Sequence, residues 1–308
     1  MAFTAADVKT LREMTGVGMM DCKKALAASD GDMDKAVEFL REKGLAASAK
    51  KAGRIAAEGM AYAAVIDGTG VVVEVNAETD FVGKNEKFVD FVKGVAATVV
   101  ANKPADLDAL MACKYNGTEM TVTEQQQEMV LVIGENIKVR RFHFFAEGIS
   151  VPYIHAGGKI GVLVNLAVEG EVSEKVIELG KDMAMQIAAL NPRFWDKSQV
   201  TEEVLSEEKR IMMVQMGNDP KMANKPAAVI EKIVMGKLNK FYAENCLLQQ
   251  EFVKDGDYTV ESYMNSVAKA AGVKISLKDA VRFEKGEGIE KKQDNFAAEI
   301  ASMVGGAN

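Results

Sequence analysis

The sequence predicts an α+β protein built from an N-terminal three-helix module, a duplicated pair of α+β core subdomains with antiparallel sheets, and an antiparallel helical hairpin inserted in the second copy. Three observations carry that prediction. The first fifty-odd residues show only helical spacing, the pattern then switches to β-branched strands around glycine turns, and the same plan recurs about ninety residues later. The chain has 308 residues, enough for two or three domains.

Composition narrows the function classes. Hydrophobic residues make up 48% and charged residues 27%, which excludes a disordered or fibrous chain. Lys+Arg 38 against Asp+Glu 45 leaves −7, so the overall field repels phosphate backbones and no direct nucleic-acid partner is expected. Cys22, Cys113 and Cys246 lie far apart with no CxxC spacing, which predicts reduced thiols. The N-terminus carries acid early and lacks a basic start with an apolar run, and no stretch approaches eighteen apolar residues. A cytoplasmic protein with no membrane partner is expected.

Residues 1–54 are assigned to the helical module and its connector. Thr4 and Asp7 form a capping box ahead of Val8, Leu11 and Met14, and Thr15-Gly16-Val17-Gly18 ends that helix. A second helix is predicted over Met19–Ala28. A third follows Ser29-Asp30-Gly31-Asp32, carries Ala36, Val37, Phe39 and Leu40 on one side, and is expected to be capped by Gly44.

Residues 55–145 form the first core subdomain. Strands Met60–Ile66 and Val71–Asn76 flank the turn Asp67–Gly70, and a helix over Glu86–Val100 places Phe88, Phe91, Val92, Val95 and Val99 on one face. Short helices over Ala105–Met111 and Thr123–Met129 and a strand over Ile137–Phe145 complete it. Residues 146–283 repeat the plan: Tyr153–His155, a Gly157-Gly158 turn, Gly161–Asn165, and a helix over Ser173–Leu190. Each sheet needs a helix to cover its apolar face. The inserted hairpin spans about residues 200–240, with Val204, Ile211, Met212, Val229, Ile233 and Leu238 as a narrow stripe. The chain closes with a helix near Val260–Ala271, a strand pair around Val273–Glu284, the glycine-rich KGEGIEKK, and a last helix over Asn295–Val304.

Motifs for covalent chemistry are missing. Asp30-Gly-Asp32-Met-Asp34 imitates the start of a calcium loop, but Lys35 and Arg41 occupy positions that need glycine and glutamate, so it reads as a helix cap. Gly16-Val-Gly18 follows a helix and is not a phosphate loop. Only His143 and His155 exist, without HExxH or clustered cysteines, so neither a metal site nor a cofactor is expected. His143 reads as an ordinary strand residue, surface or partly buried, and His155 lies beside a glycine turn.

Two segments stand apart. Gly18-Met19-Met20-Asp21 puts two thioethers at a helix start, where they either dock a partner or cover their own core. Thr79-Asp80-Phe81-Val82-Gly83-Lys84-Asn85 joins a strand to the long helix, and its aromatic either plugs the sheet or protrudes into a partner.

At LREMTGVGMMDCKKAL, Leu11–Leu26, and at Glu74-Val-Asn-Ala-Glu-Thr-Asp-Phe-Val82, the chain resembles the bacterial elongation factor Ts family. The likeness continues through Ile133-Gly-Glu-Asn-Ile137, His155–Val164 and the terminal RFEKGEGIEKK. Gly83 stands where the family usually has alanine. The resemblance implies a guanine nucleotide exchange factor for elongation factor Tu, in its GDP-bound and nucleotide-free forms, and not an enzyme acting on a covalent bond. It implies that the N-terminal module is similar to ubiquitin-associated domains and that residues 284–308 are a small C-terminal module. Within Thr79, Asp80, Phe81 and Val82, the Asp80-Phe81 pair would push toward the partner's magnesium site. Arg12, Met19 and Met20 would form the N-terminal docking surface, and His155 a core contact. The hairpin mediates self-association in some members, which makes a homodimer one expectation. Competing classes are an adaptor that binds without changing nucleotide off-rates and, least supported, a metal-dependent hydrolase.

Overall fold

The Thr4 hydroxyl accepts from the Asp7 backbone N–H and the Asp7 carboxylate accepts from the Thr4 N–H, so the first helix opens on the predicted capping box. The computed structural model describes residues 3–218 and 226–290. Helices α1 (Ala5–Thr15), α2 (Met19–Ala28) and α3 (Met33–Lys51) close around Leu11, Cys22, Leu26, Ala36 and Leu40. Gly16, at φ 67°, ends α1 in the left-handed region that glycine adopts without strain. Asp32 caps α3 by accepting from the Lys35 N–H at 3.0 Å. Gly44 does not end that helix, which runs to Lys51. It lies in a close crossing, where a Cβ would sit 3.4 Å from the Gln127 carbonyl oxygen. The expected C-cap is therefore a packing glycine.

Each core copy is a three-stranded antiparallel sheet. The first holds β1 (Glu58–Ile66), β2 (Thr69–Ala77) and β3 (Lys138–Phe145) in that order. Its odd-numbered β2 residues, Val71, Val73 and Val75, pack on α4 (Glu86–Asn102) through Phe88, Phe91, Val92, Val95 and Val99. Burying each such side chain contributes about 1.5–3 kcal/mol, an upper bound because the unfolded chain is partly collapsed. Asn85 starts α4 by accepting from the Lys87 and Phe88 N–H groups. Helices α5 (Leu107–Ala112) and α6 (Val122–Ile133) bridge α4 to β3.

The second sheet repeats this topology with β4 (Ile149–His155) and β5 (Ile160–Glu169), covered by α7 (Glu174–Leu190). Helices α8 (Glu202–Gly217) and α9 (Ala227–Asn245), a small hairpin of β6 (Glu251–Phe252) and β7 (Asp255–Thr259), and α10 (Val260–Ala271) precede its third strand. That strand is β8, a single run over Lys274–Glu284 paired with β5 along its length, and not the expected strand pair. The apparent pair arises because a register shift interrupts the alternation midway. The β6–β7 hairpin was too short and too polar to register as strand in the sequence.

The two copies agree in detail. Glu74 on β2 and Asn165 on β5 occupy matching places, both are buried, and each sits at a register shift against its third strand. On β3 the extra residue is Arg140. Regular pleating sends neighbouring side chains to opposite faces, whereas here Arg140 Nη1 reaches Glu74 Oε1 at 2.9 Å and Arg141 Nε reaches Oε2 at 2.5 Å.

The sheets have no solvent-facing side at their centre. Ala61, Ala63 and Val72 of the first meet Leu163 and Phe283 of the second, and the Ala61 N–H donates to the Gly158 carbonyl at 2.8 Å. Small residues permit this approach, since a Cβ on Gly161 would lie 3.1 Å from the Ala61 carbonyl carbon. The helices α4 and α7 therefore form the outer layers. Of the predicted stripe on α8 and α9, Met212 and Leu238 are buried with Phe241 and Cys246, while Ile211 and Val229 are exposed. The chain enters and leaves this pair side by side, with Phe194 N–H donating to Asn245 and Leu247 N–H donating to Phe194. The predicted Asn295–Val304 helix and the Asp219-Pro220 part of the helix break lie outside the described residues.

Candidate functional site

The turn between β2 and α4 is built to be rigid at its base and open at its tip. Val82 is buried in the first core, Gly83 is pressed against β1, and Phe81 between them and Asp80 is 80% exposed. A Cβ on Gly83 would lie 2.9 Å from the Gly59 carbonyl oxygen, so alanine at this position requires a small backbone shift. A 3₁₀ turn over Val82–Lys84 follows, with Lys84 N–H donating to the Phe81 carbonyl at 3.1 Å and Asn85 N–H to that of Val82 at 2.9 Å. Of the two readings left open, the aromatic points away from its own sheet.

Thr79 is held from the other side. Its N–H and that of Glu78 both donate to Glu135 Oε2 at 3.0 Å, and its hydroxyl donates to Glu135 Oε1 at 2.7 Å. The Glu78 carboxylate returns the contact by accepting from the Asn136 N–H at 2.7 Å. Glu135 follows Gly134, the left-handed cap of α6 at φ 88°. The Ile133-Gly-Glu-Asn-Ile137 motif by itself assigns its acid no role. The available signal was a glutamate directly after a cap glycine.

Met19 and Met20 are 51% and 64% exposed on the first turn of α2, so they do not cover the module's core. Arg12 is exposed on α1. Tertiary packing brings this surface to the β2–α4 turn: Arg12, Gly16, Gly18, Phe81, Lys87 and Val132 line one open cleft of about 410 Å³. Lys87 Nζ spans the junction by donating to the Gly16 carbonyl at 3.3 Å. Leu131 and Val132 on α6 pack against the N-terminal core, and Val132 and Ile133 at the end of that helix line the cleft together with Arg12 and Phe81. A second, apolar cavity of about 240 Å³ between α3 and α6 is lined by Met14, Val37, Leu40, Leu45 and Leu131, with Glu128 at its side. Burial pushes the Glu128 carboxyl up, against the opposing pull of Arg41.

His155 stands outside the cleft. It ends β4, is exposed, and shares a 3.1 Å hydrogen bond between Nδ1 and the Tyr153 hydroxyl. Its turn nevertheless borders the same strand start as the Phe81 corner, because Gly158 packs on Met60 and Gly83 on Gly59. His143 lies half-buried on β3, where burial lowers its pKa and Asp279 opposes that shift. Among the described residues no cluster of three His, Cys, Asp or Glu side chains is arranged to hold a metal, and no helix is long and apolar enough to cross a membrane.

This arrangement offers hydrogen-bond rims and protruding apolar side chains. Comparison with known proteins agrees with the sequence motifs. The family model described as Elongation factor TS matches residues 78–287. The chain is 48% identical over 306 residues to the elongation factor Ts of Syntrophotalea carbinolica, covering 99% of this chain and 100% of that one. It is 49% identical over 313 residues to that of Trichlorobacter lovleyi, covering 99% of each, and 47% identical over 306 residues to that of Clostridium botulinum strain Eklund 17B, covering 98% and 99%. A match over most of the length, together with the motifs at Leu11–Leu26 and Glu74–Val82, means that the chain belongs to the elongation factor Ts family.

Proposed function

We propose that this chain is a guanine nucleotide exchange factor for elongation factor Tu, acting by protein–protein contact in the cytoplasm and needing no cofactor of its own. The observation that supports this reading best is Phe81, an almost fully exposed aromatic on a turn anchored on both sides. A rigid aromatic buries roughly 150–250 Å² with only two torsions to fix, which suits a wedge. Asp80 beside it supplies acceptor oxygens at the rim, with Thr79 and Val82 as the anchors. Arg12, Met19 and Met20 form the second docking surface, and His155 a third contact.

The thermodynamics is linkage. The exchange factor and GDP with magnesium favour different arrangements of the same GTPase, so each weakens the other's affinity by an equal factor. Magnesium belongs to the partner, where it bridges phosphate and protein, and displacing the segments that hold its ligands removes charge neutralisation from the diphosphate. In the same reading the N-terminal helices act as a ubiquitin-associated-like module, and the α8–α9 segment as a projecting arm through which a second copy could associate.

Release of fluorescent GDP from elongation factor Tu tests the reading. Catalytic amounts of the chain should accelerate release, and Phe81→Ala should slow it. Binding with an unchanged off-rate would reassign the chain to the adaptor class, and an unaffected Phe81→Ala would reject the wedge.

A further inference from the structure

We infer that Glu135 is a positioning residue of the exchange surface, an assignment that rests on the exchange reading above. Its two carboxylate oxygens accept three hydrogen bonds, all from Glu78 and Thr79, the two residues that immediately precede Asp80 and Phe81. Nothing else in the described hydrogen bonding satisfies those two N–H groups, and they lie past the end of the β2 ladder. Without an acceptor the strand exit would be free to rotate, and the direction in which Phe81 leaves the sheet would no longer be fixed.

Glu135 does this from a particular place. It directly follows Gly134, the cap of α6, whose Leu131 and Val132 seat the N-terminal module. The same helix end therefore fixes both the module that carries Arg12, Met19 and Met20 and the turn that carries Phe81. The reciprocal bonds, Asn136 N–H to Glu78 Oε1 at 2.7 Å and Asn136 Nδ2 to the Arg54 carbonyl at 2.8 Å, extend the lock to the connector behind α3. Glu135 and the end of α6 thus help set the spacing between the two docking surfaces, alongside Lys87 and Asn136. Charge assistance makes such bonds stronger than neutral ones.

Two measurements test this together. Hydrogen exchange reads the Glu78 and Thr79 amides directly, independently of any partner. Glu135→Ala should remove their protection while the amides of α4 and β2 stay protected. Stimulated GDP release should fall about tenfold, the scale of losing a charge-assisted set of bonds. Glu135→Gln should recover most of the rate, because one amide oxygen can still accept from both N–H groups while Nε2 donates to the Thr79 hydroxyl. In a Phe81→Ala background, Glu135→Ala should cause no further loss, which a merely structural role would not produce. Unchanged amide protection, or losses that multiply in the double variant, would overturn the assignment. Should Glu135→Ala fail to fold, Thr79→Val removes one of the three bonds and carries the same comparison. If the unmodified chain does not accelerate GDP release, the exchange reading fails while the hydrogen-exchange result still decides whether Glu135 holds the turn.

Discussion

The backbone N–H of Gly286 donates to a carboxylate oxygen of Glu74 at 2.8 Å, in a site sealed from solvent. This bond closes the fold across the whole core. Glu74 also accepts from Arg140, Arg141 and Asn76, and Arg140 continues to the Glu287 carbonyl. Gly286 fits because it is glycine: its φ is +70°, and a Cβ would lie 2.0 Å from the Ala57 carbonyl oxygen. The segment that leaves β8 is therefore stitched onto the first sheet.

Removing that carboxylate takes one buried acceptor from Arg140 and Arg141, both partly exposed and still partnered at Glu287, and leaves the buried Gly286 N–H without its acceptor. Glu74→Ala should destabilise the protein by about 1–3 kcal/mol, the cost of leaving a buried N–H without its acceptor. Urea unfolding measures it, and a loss of no more than about 0.5 kcal/mol, the range of a surface substitution, would show that the cluster is not a keystone.

Phe81 and Val82 are neighbours with opposite environments, and they should separate activity from stability. Phe81→Ala should change unfolding free energy by no more than about 0.5 kcal/mol while slowing GDP release. Val82→Ala empties part of the core and should cost about 1–2 kcal/mol. Thermal melts run beside the release assay check both.

Alkaline pH should weaken the fold through two tyrosines. Burial, with Asp90 adding to it, pushes Tyr115 from the ordinary 10.0 up to about 12, and burial with the hydrogen bond to Asp182 pushes Tyr263 up to about 12. Below pH 10 both states keep their protons and the contribution is constant. Between about 10 and 12 only the unfolded chain loses them, so stability falls as pH rises. Tyr115→Phe with Tyr263→Phe should flatten that part of the stability profile, measured by urea midpoints across the range.

The cysteines should report on packing. Cys22 and Cys246 are buried, and burial pushes both thiols up, Cys246 to about 11 with Asp196 adding to the shift. Cys113 is partly exposed. A disulfide reagent at mild pH should modify Cys113 quickly and the other two only as the chain unfolds. Rapid labelling of all three would contradict the packing around α2 and α9.

Much of the fold was legible locally. The capping box at Thr4, the cap at Asp32, the β-branched run Val71–Val75 and the stripe Phe88–Val99 are short-range signals, and the elements they mark form where expected, except that α3 continues seven residues past Gly44 to Lys51. Gly44 misled because a glycine that permits a close helix crossing has the same sequence appearance as one that ends a helix.

Periodicity and local spacing carry most of the element order, the repeat, the place of the Thr79–Val82 segment between strand and helix, and the absence of motifs for covalent chemistry, because all of these are short-range signals. Tertiary structure alone decided that the sheets pack face to face, that Arg12 and Phe81 share one cleft, and that Glu135 and Gly286 serve turns and strands far from them in the chain. The physical reason is that a hydrogen bond or a van der Waals contact acts over a few ångströms of space, and which distant residues come within that range is set only when the apolar faces have found one another.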